Sequence, residues 1–400
     1  MQTVILAAGS GVRMRPLTDD RPKALLPMGK RPLIEHVLAT AVDAGADRIV
    51  LVVPPDGSIE SAIGGSFRNV TLDYVVQPTP QGTGDAVWRA LGVLQPEPFV
   101  VLPGDLLLNR SDVDALYEET PSVVVGSSHH ARLAPNSPAR GEDSESPVLG
   151  AFTFPGCTID RLGAMDETGT NGWELADQLT ELMGVQPRIV GVNEWIDVDH
   201  PWELLEATER QLESLAPSRA GDIHPDAELL GCVHVEAGAT IRSGVAIDGP
   251  VLIRSGATIG PNAYVRGATV IGTDAKVGHA VEVKNSILCA GAAVNHQSYV
   301  GDSILGPRVN FGAGTNVANL RHDKEPIKTT VQGASMGTGR RKYGVVVGPD
   351  ARTGIDTSLN VGVVLPTEAT TLPGSVVFST PTEDKRPVSD ARSEVMVKGK

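Results

Sequence analysis

The residues best able to do chemistry fall into three groups. Near the amino terminus an apolar run, Thr3–Ala7, leads into Gly9 and Gly11, and Arg13, Arg15 and Lys23 follow closely. Glycines there let backbone approach phosphate oxygens, and their N–H groups form an anion nest. Arg and Lys add the fixed positive charge that phosphoryl transfer needs, and Pro22 sets the backbone just before the lysine. Asp105 closes a second apolar run, Phe99–Pro103, and Asp197 lies about ninety residues further on. Mg²⁺ takes one or two protein carboxylates and leaves its remaining sites to phosphates and water, so two such aspartates suit it. The third group is His296, flanked by Asn295 and Tyr299. An unperturbed histidine titrates near pH 6.5 and suits general-base work.

A basic stretch follows that histidine. Asn319–Tyr343 carries Arg321, Lys324, Lys328, Arg340, Arg341 and Lys342 against Asp323 and Glu325, a local balance of +4 in a chain of net charge −14. A solvated loop in so acidic a protein should be acidic, so an anionic ligand is expected there.

Two kinds of element must hold these groups. Val235, Ile241, Ile247, Ile253, Ile259, Val265, Ile271, Val277 and Val283 recur every six residues, with slim side chains four positions after each aliphatic from Ala239 to Val281. A helix needs a 3.6-residue period and a half-exposed strand a period of two, so neither fits. Six is the period of the hexapeptide β-helix, in which inward aliphatics stack from coil to coil. Register is lost after Val283 and returns, shifted, at Leu305, Phe311 and Val317, then at Val347, Thr353, Leu359, Leu365, Thr371 and Val377. The amino-terminal part instead alternates strands and helices: strand Arg48–Val53, strand Leu72–Val76 and strand Phe99–Pro103, with helices near Leu33–Ala44 and Gly84–Leu94. That alternation indicates a helix-covered sheet with ligands at its strand ends.

The chain of 400 residues suggests more than one domain: 1–216, then a β-helix over 217–383, then a polar tail over 384–400. The helical spacing of Pro201–Leu215 is expected to dock it on the first domain. The acidic balance argues against nucleic acid and anionic membranes as partners. Cys157, Cys232 and Cys289 form no metal-ligand pattern, and with no signal peptide or long apolar span in view a cytoplasmic setting is expected.

LAAGSGVR…RPK resembles the signature of sugar-1-phosphate nucleotidylyltransferases. By that resemblance Leu6, Gly9, Gly11, Gln77, Gly82 and Thr83 bind the nucleotide, Arg13 and Lys23 act on the phosphates, and Asp105 and Asp197 hold Mg²⁺. The stretch from Val281 to Lys328 resembles the acetyltransferase half of the bifunctional N-acetylglucosamine-1-phosphate uridylyltransferase/glucosamine-1-phosphate acetyltransferase family (GlmU-type), in its archaeal form. The resemblance makes His296 the base, with Tyr299, Asn310 and Lys328 beside the amino sugar. Arg266, Lys284 and Asn319 then bind the sugar phosphate, and Ala313, Arg340, Arg341 and Lys342 bind acetyl-CoA. An amine attacks a thioester only when unprotonated, which is why a base is required.

The fold implied is an α/β nucleotidyltransferase domain, a Rossmann-like mixed sheet, followed by a left-handed parallel β-helix of hexapeptide repeats. The activity implied is acetylation of glucosamine-1-phosphate by acetyl-CoA and coupling of the product to UTP, in a homotrimer with the acetyl site between subunits. The sequence departs from the family at Val12, where a Thr is usual, and over 127–147, where no Tyr-Gly turn or Glu-Lys-Pro element is found. Two alternatives remain: a glucose-1-phosphate nucleotidylyltransferase using dTTP or UTP with a structural β-helix, or a non-catalytic regulatory homologue.

Overall fold

A computed structural model of the chain describes residues 1–118, 120–126, 148–163, 175, 184, 186–381 and 395–396. The sugar loop expected over 127–147, the helix start expected over 173–177 apart from Leu175, and most of the tail lie outside the described residues. The chain forms two compact units. The first holds Met1–Gly11, Arg21–Leu26 and Arg31–Val198, and the second holds Val12–Asp20, Pro27–Lys30 and Asp199–Lys400.

The first unit is built on an eight-stranded sheet. Four strands at its centre run parallel, in the order Phe99–Pro103, Gln2–Leu6, Arg48–Val53, Val70–Val76. The first three read as nearly unbroken apolar runs because helices cover both faces of a parallel sheet, and Val4, Ile5, Ile49, Val50, Leu51, Val100 and Val101 are fully buried. Val148–Phe154 runs antiparallel to Phe99–Pro103 and to Ser122–Gly126, which makes the sheet mixed. The helix Leu33–Asp43 packs Leu33, Ile34, Val37 and Leu38 inward, and Pro32 precedes its first turn. The second expected helix is shorter than its pattern: Thr83–Ala90 is α-helical and Leu91–Val93 tightens to a 3₁₀ turn.

In the second unit three sheets of parallel strands climb together as a β-helix. All nine hexad aliphatics from Val235 to Val283 are at most 1% exposed, so the six-residue period is the inward-facing row of the coil. Burying each such side chain is worth about 1.5–3 kcal/mol, summed along one stacked core. The ladder also explains where the hexads slip. Thr258 pairs with Lys276, eighteen residues on, but Lys276 pairs with Ala293 and Ala293 with Asn310, seventeen residues on. Two coils are therefore one residue short, and the inward row continues through Leu288, Val294 and Val300, all fully buried. Eighteen-residue coils return where Ser358 pairs with Val376.

The basic excursion leaves the coil after Asn316–Val317 and rejoins it at Val346–Val347. Its neck is closed by a bridge between Leu320 and Lys342 and by the Tyr343 N–H on the Asn319 carbonyl at 3.1 Å. Within it Lys328–Val331 and Ala334–Gly337 form an antiparallel hairpin.

The helix Pro201–Glu213 groups with the second unit. It packs against the short strand Pro27–Met28, a segment of 1–216 that groups with the same unit. Glu209 also bonds to Asn285 and Arg340, and Trp202 lies edge-on to Tyr343 at 6.4 Å. In the polar tail expected over 384–400, Val395–Met396 pairs antiparallel with Thr370–Thr371.

Candidate functional site

In the first unit the strand ends meet at a close approach. The Gly104 N–H donates to the Leu6 carbonyl at 2.9 Å, and a Cβ on Gly104 would lie 2.8 Å from that oxygen. Glycine is required there by space. A short antiparallel pair, Leu106–Leu108 with Trp195–Asp197, sets Asp197 opposite Leu106. The ladder thus brings Asp105 beside Asp197, with carboxylate oxygens within 4.8 Å of each other. Lys23, on a short 3₁₀ turn after Pro22, is ion-paired with Asp105 and is largely buried. Two hard oxygen donors beside a single ammonium fit a divalent cation of the magnesium type.

The nucleotide-loop residues are placed as follows. Leu6 ends its strand, a Cβ on Gly9 would meet open space, and Gly11 has φ +61°. Gln77 is buried, and its amide nitrogen donates to the Gly82 carbonyl at 3.2 Å and to Asp85 at 2.7 Å. The Thr83 hydroxyl accepts the Leu175 N–H at 2.9 Å. Asp85, fully buried and also bonded to Arg89, was not singled out from the sequence. Its only signal is that it sits eight residues after Gln77, at the start of a helix. Arg13 groups with the second unit and donates to Asp199 at 2.8 Å.

In the second unit, His296 ends the strand Ala293–His296 with its side chain exposed, and Tyr299 begins the next face of the coil. The turn at Ala313 stacks on that corner through the Gly314 N–H on the His296 carbonyl, at 3.2 Å. Asn310 lies beside Ala293 in the ladder and accepts the Asn295 amide at 3.4 Å. One coil down, Arg266 and Lys284 are ladder neighbours. Arg266 donates twice to Glu282, at 2.7 and 3.0 Å. Lys284 reaches both oxygens of Asp302 at 2.9 and 3.0 Å, and Asp302 is only 2% exposed. Asn319 donates to Asp302 at 2.5 Å and to the Tyr299 hydroxyl at 3.0 Å. Burial, and then the Asp302 charge, push the Tyr299 phenol up, so it stays a neutral donor.

The structure therefore draws Lys284, Asn319 and Tyr299 into one network three residues from His296. Lys328 starts the exposed hairpin instead, Arg340 is expended on Glu209, and Arg341 donates to the Lys324 carbonyl at 3.1 Å. Asp302 and Glu282, which hold these cations, were not anticipated. Lys284 stands beside Gly301 in a coil of seventeen residues, and Asp302, the next residue, comes within reach of its ammonium.

A nucleotide-handling α/β unit joined to a polar-faced β-helix defines a class of sugar-nucleotide transferases, and the comparisons agree. The family model for nucleotidyl transferase matches residues 2–120, and that for the GMPPB C-terminal domain matches residues 247–373. The chain is 34% identical to the bifunctional protein GlmU of Methanococcus maripaludis, over 91% of each chain. It is 30% identical to a bifunctional sugar-1-phosphate nucleotidylyltransferase/acetyltransferase of Sulfurisphaera tokodaii, over 94% of this chain and 97% of the relative. It is 31% identical to the GlmU protein of Methanocaldococcus jannaschii, over 91% of each. The chain belongs to this GlmU-type family of bifunctional nucleotidylyltransferase/acetyltransferases. Among the described residues no helix is long and apolar enough to cross a membrane.

Proposed function

We propose that the enzyme acetylates glucosamine-1-phosphate with acetyl-CoA and then couples N-acetylglucosamine-1-phosphate to UTP, releasing pyrophosphate. The observation that carries this reading is the network Lys284–Asp302–Asn319–Tyr299, whose Tyr299 opens the strand after the one His296 ends, because a β-helix serving only as a scaffold has no use for it. In the first reaction His296 takes a proton from the sugar amine as its nitrogen attacks the acetyl carbonyl. The carbon–sulfur bond breaks and coenzyme A leaves. Arg266 and Lys284 hold the sugar phosphate, and Arg341 and Lys342 face the polyanionic cofactor portion of acetyl-CoA.

In the second reaction a sugar-phosphate oxygen attacks the α-phosphorus of UTP in line. Arg13 neutralises the leaving pyrophosphate and Lys23 the attacking phosphate, so that positioning and charge supply the catalysis. Asp105 and Asp197 would hold Mg²⁺, which bound there supplies positive charge to the triphosphate oxygens. Gln77, Gly82 and Thr83 form the base-facing turn. The proposal extends to a homotrimer, on the resemblance to the family, and to a cytoplasmic setting, which suits three free cysteines.

Two assays test the reading: acetyl-CoA-dependent thiol release with glucosamine-1-phosphate, and pyrophosphate release across a grid of sugar phosphates and nucleoside triphosphates with Mg²⁺. Thiol release from no amino-sugar phosphate would reduce the β-helix to a scaffold.

A further inference from the structure

We propose that Asp302 is a positioning residue for acetyl transfer, its buried carboxylate fixing the direction in which the hydrogen bonds of the amino-sugar site run. The proposal rests on the acetyltransferase reading above. Asp302 collects Lys284 on both oxygens, the Asn285 amide at 2.9 Å and the Asn319 amide at 2.5 Å. An ionised carboxylate can only accept, so each amide must turn its nitrogen toward it.

The consequence propagates outward. Asn319 spends its nitrogen on Asp302 and Tyr299, which leaves its carbonyl oxygen as the group presented to a ligand. Tyr299 has its oxygen occupied by the Asn319 N–H, so its own O–H is left to donate. The site therefore offers an ammonium and a phenol donor, which suit phosphate oxygens, and one amide acceptor, which suits a sugar hydroxyl or amine. Asn285 links the same carboxylate to Glu209 on the helix Pro201–Glu213, bracing the network from behind. An asparagine at 302 would carry no charge and could present either a donor or an acceptor, so the direction would be lost.

Asp302 also turns a corner of the coil with φ +51° and accepts the Gly344 N–H on its carbonyl at 2.8 Å. A folding role and a positioning role must therefore be separated. The experiment uses the full chain with Asp302→Asn, measuring kcat and KM for glucosamine-1-phosphate and for acetyl-CoA, pyrophosphate release, and thermal unfolding. The expected result is a KM for glucosamine-1-phosphate raised about tenfold or more, with the KM for acetyl-CoA and the pyrophosphate reaction unchanged. A folded variant with an unaltered KM for the sugar phosphate overturns the proposal. So does a variant that loses stability and affects both substrates alike. Where Asp302→Asn fails to fold, Asn319→Ala decides: it breaks the relay to Tyr299 but keeps the Lys284 pair, and must raise the same KM. Absence of thiol release in the unmutated chain is a different outcome, and it removes the acetyltransferase reading itself.

Discussion

Val198 donates its backbone N–H to the carbonyl of Asp105 at 3.1 Å, one rung beyond the pairing of Asp197 with Leu106. Two aspartates far apart in the chain are thus brought to neighbouring positions by main-chain bonds. Asp105→Asn and Asp197→Asn are each expected to lower pyrophosphate release by about a hundredfold or more while sparing thiol release. Each should also raise the Mg²⁺ concentration needed for half-maximal rate, and chelation should silence the first unit alone. A Mg²⁺ dependence left unchanged in both variants would remove the metal assignment.

His296→Ala is expected to abolish thiol release and leave pyrophosphate release intact, because its side chain is exposed at a coil corner. Pyrophosphate release supplies the internal control for folding. Loss of both activities in a folded protein would break the division of labour between the units.

Gly104→Ala tests the close approach of the strand ends. The new methyl carbon would sit 2.8 Å from the Leu6 carbonyl oxygen, a backbone atom that cannot swing aside. A stability loss of about 1–3 kcal/mol is expected from the forced shift, accompanied by slower nucleotidyl transfer because Asp105 is the next residue. Thermal unfolding and pyrophosphate release measure the two effects. A variant that unfolds at the unmutated temperature would show that the approach is looser than the distance implies.

Much of this was legible in the sequence, and the residues show why the rest was not. Val235 to Val283 repeat without error because each inward aliphatic must stack on its equivalent, so the period was visible. Leu288, Val294 and Val300 escaped it because one residue is missing from each of two coils, and a fixed period of six has no way to follow a shortened turn. The strands Arg48–Val53 and Phe99–Pro103 were legible to the residue, since buried parallel strands are apolar throughout. Asp302, Glu282, Asp85 and Glu209 were not, because each acts by holding another side chain, and a single carboxylate in a coil or helix carries no periodic signal. The contacts of Pro201–Glu213 with the excursion were not legible for a related reason: spacing shows that a helix has an apolar face but not every surface that meets it.

Alkaline pH should weaken the first unit through Tyr117. Burial pushes its phenol up to about 12, against the lowering effect of its hydrogen bond with Thr3 at 2.6 Å. The folded state therefore holds this proton more tightly than the unfolded chain. Its stabilising contribution is complete below about pH 10, the ordinary tyrosine value, and is lost as pH rises toward 12. Thermal unfolding of Tyr117→Phe followed between pH 9 and pH 11 should fall less steeply than that of the unmutated protein, by about the slope of one proton. Identical slopes would mean that the phenol ionises without unfolding.

Arg340, Arg341 and Lys342 are adjacent in sequence but should differ in what they do. Arg340 is only 19% exposed and ion-paired with Glu209, while Arg341 and Lys342 are exposed. Removing Arg340 leaves Glu209 with the Asn285 amide but without its cation, and it also withdraws a positive charge from Glu206, whose carboxyl burial already pushes up. Arg340→Ala is therefore expected to destabilise the second unit and leave the KM for acetyl-CoA little changed. Arg341→Ala and Lys342→Ala are expected to do the reverse, raising that KM about threefold to tenfold each with the unfolding temperature preserved, because an exposed cation facing a polyanion contributes attraction rather than packing. Their effect should shrink as salt is added, since exposed charges are screened within about 10 Å at 0.1 M ionic strength, whereas the largely buried Arg340 pair should respond less. Kinetics and unfolding on the three variants at low and high salt separate the roles. An Arg340→Ala protein of normal stability that binds acetyl-CoA poorly would place that arginine at the ligand instead of at the helix.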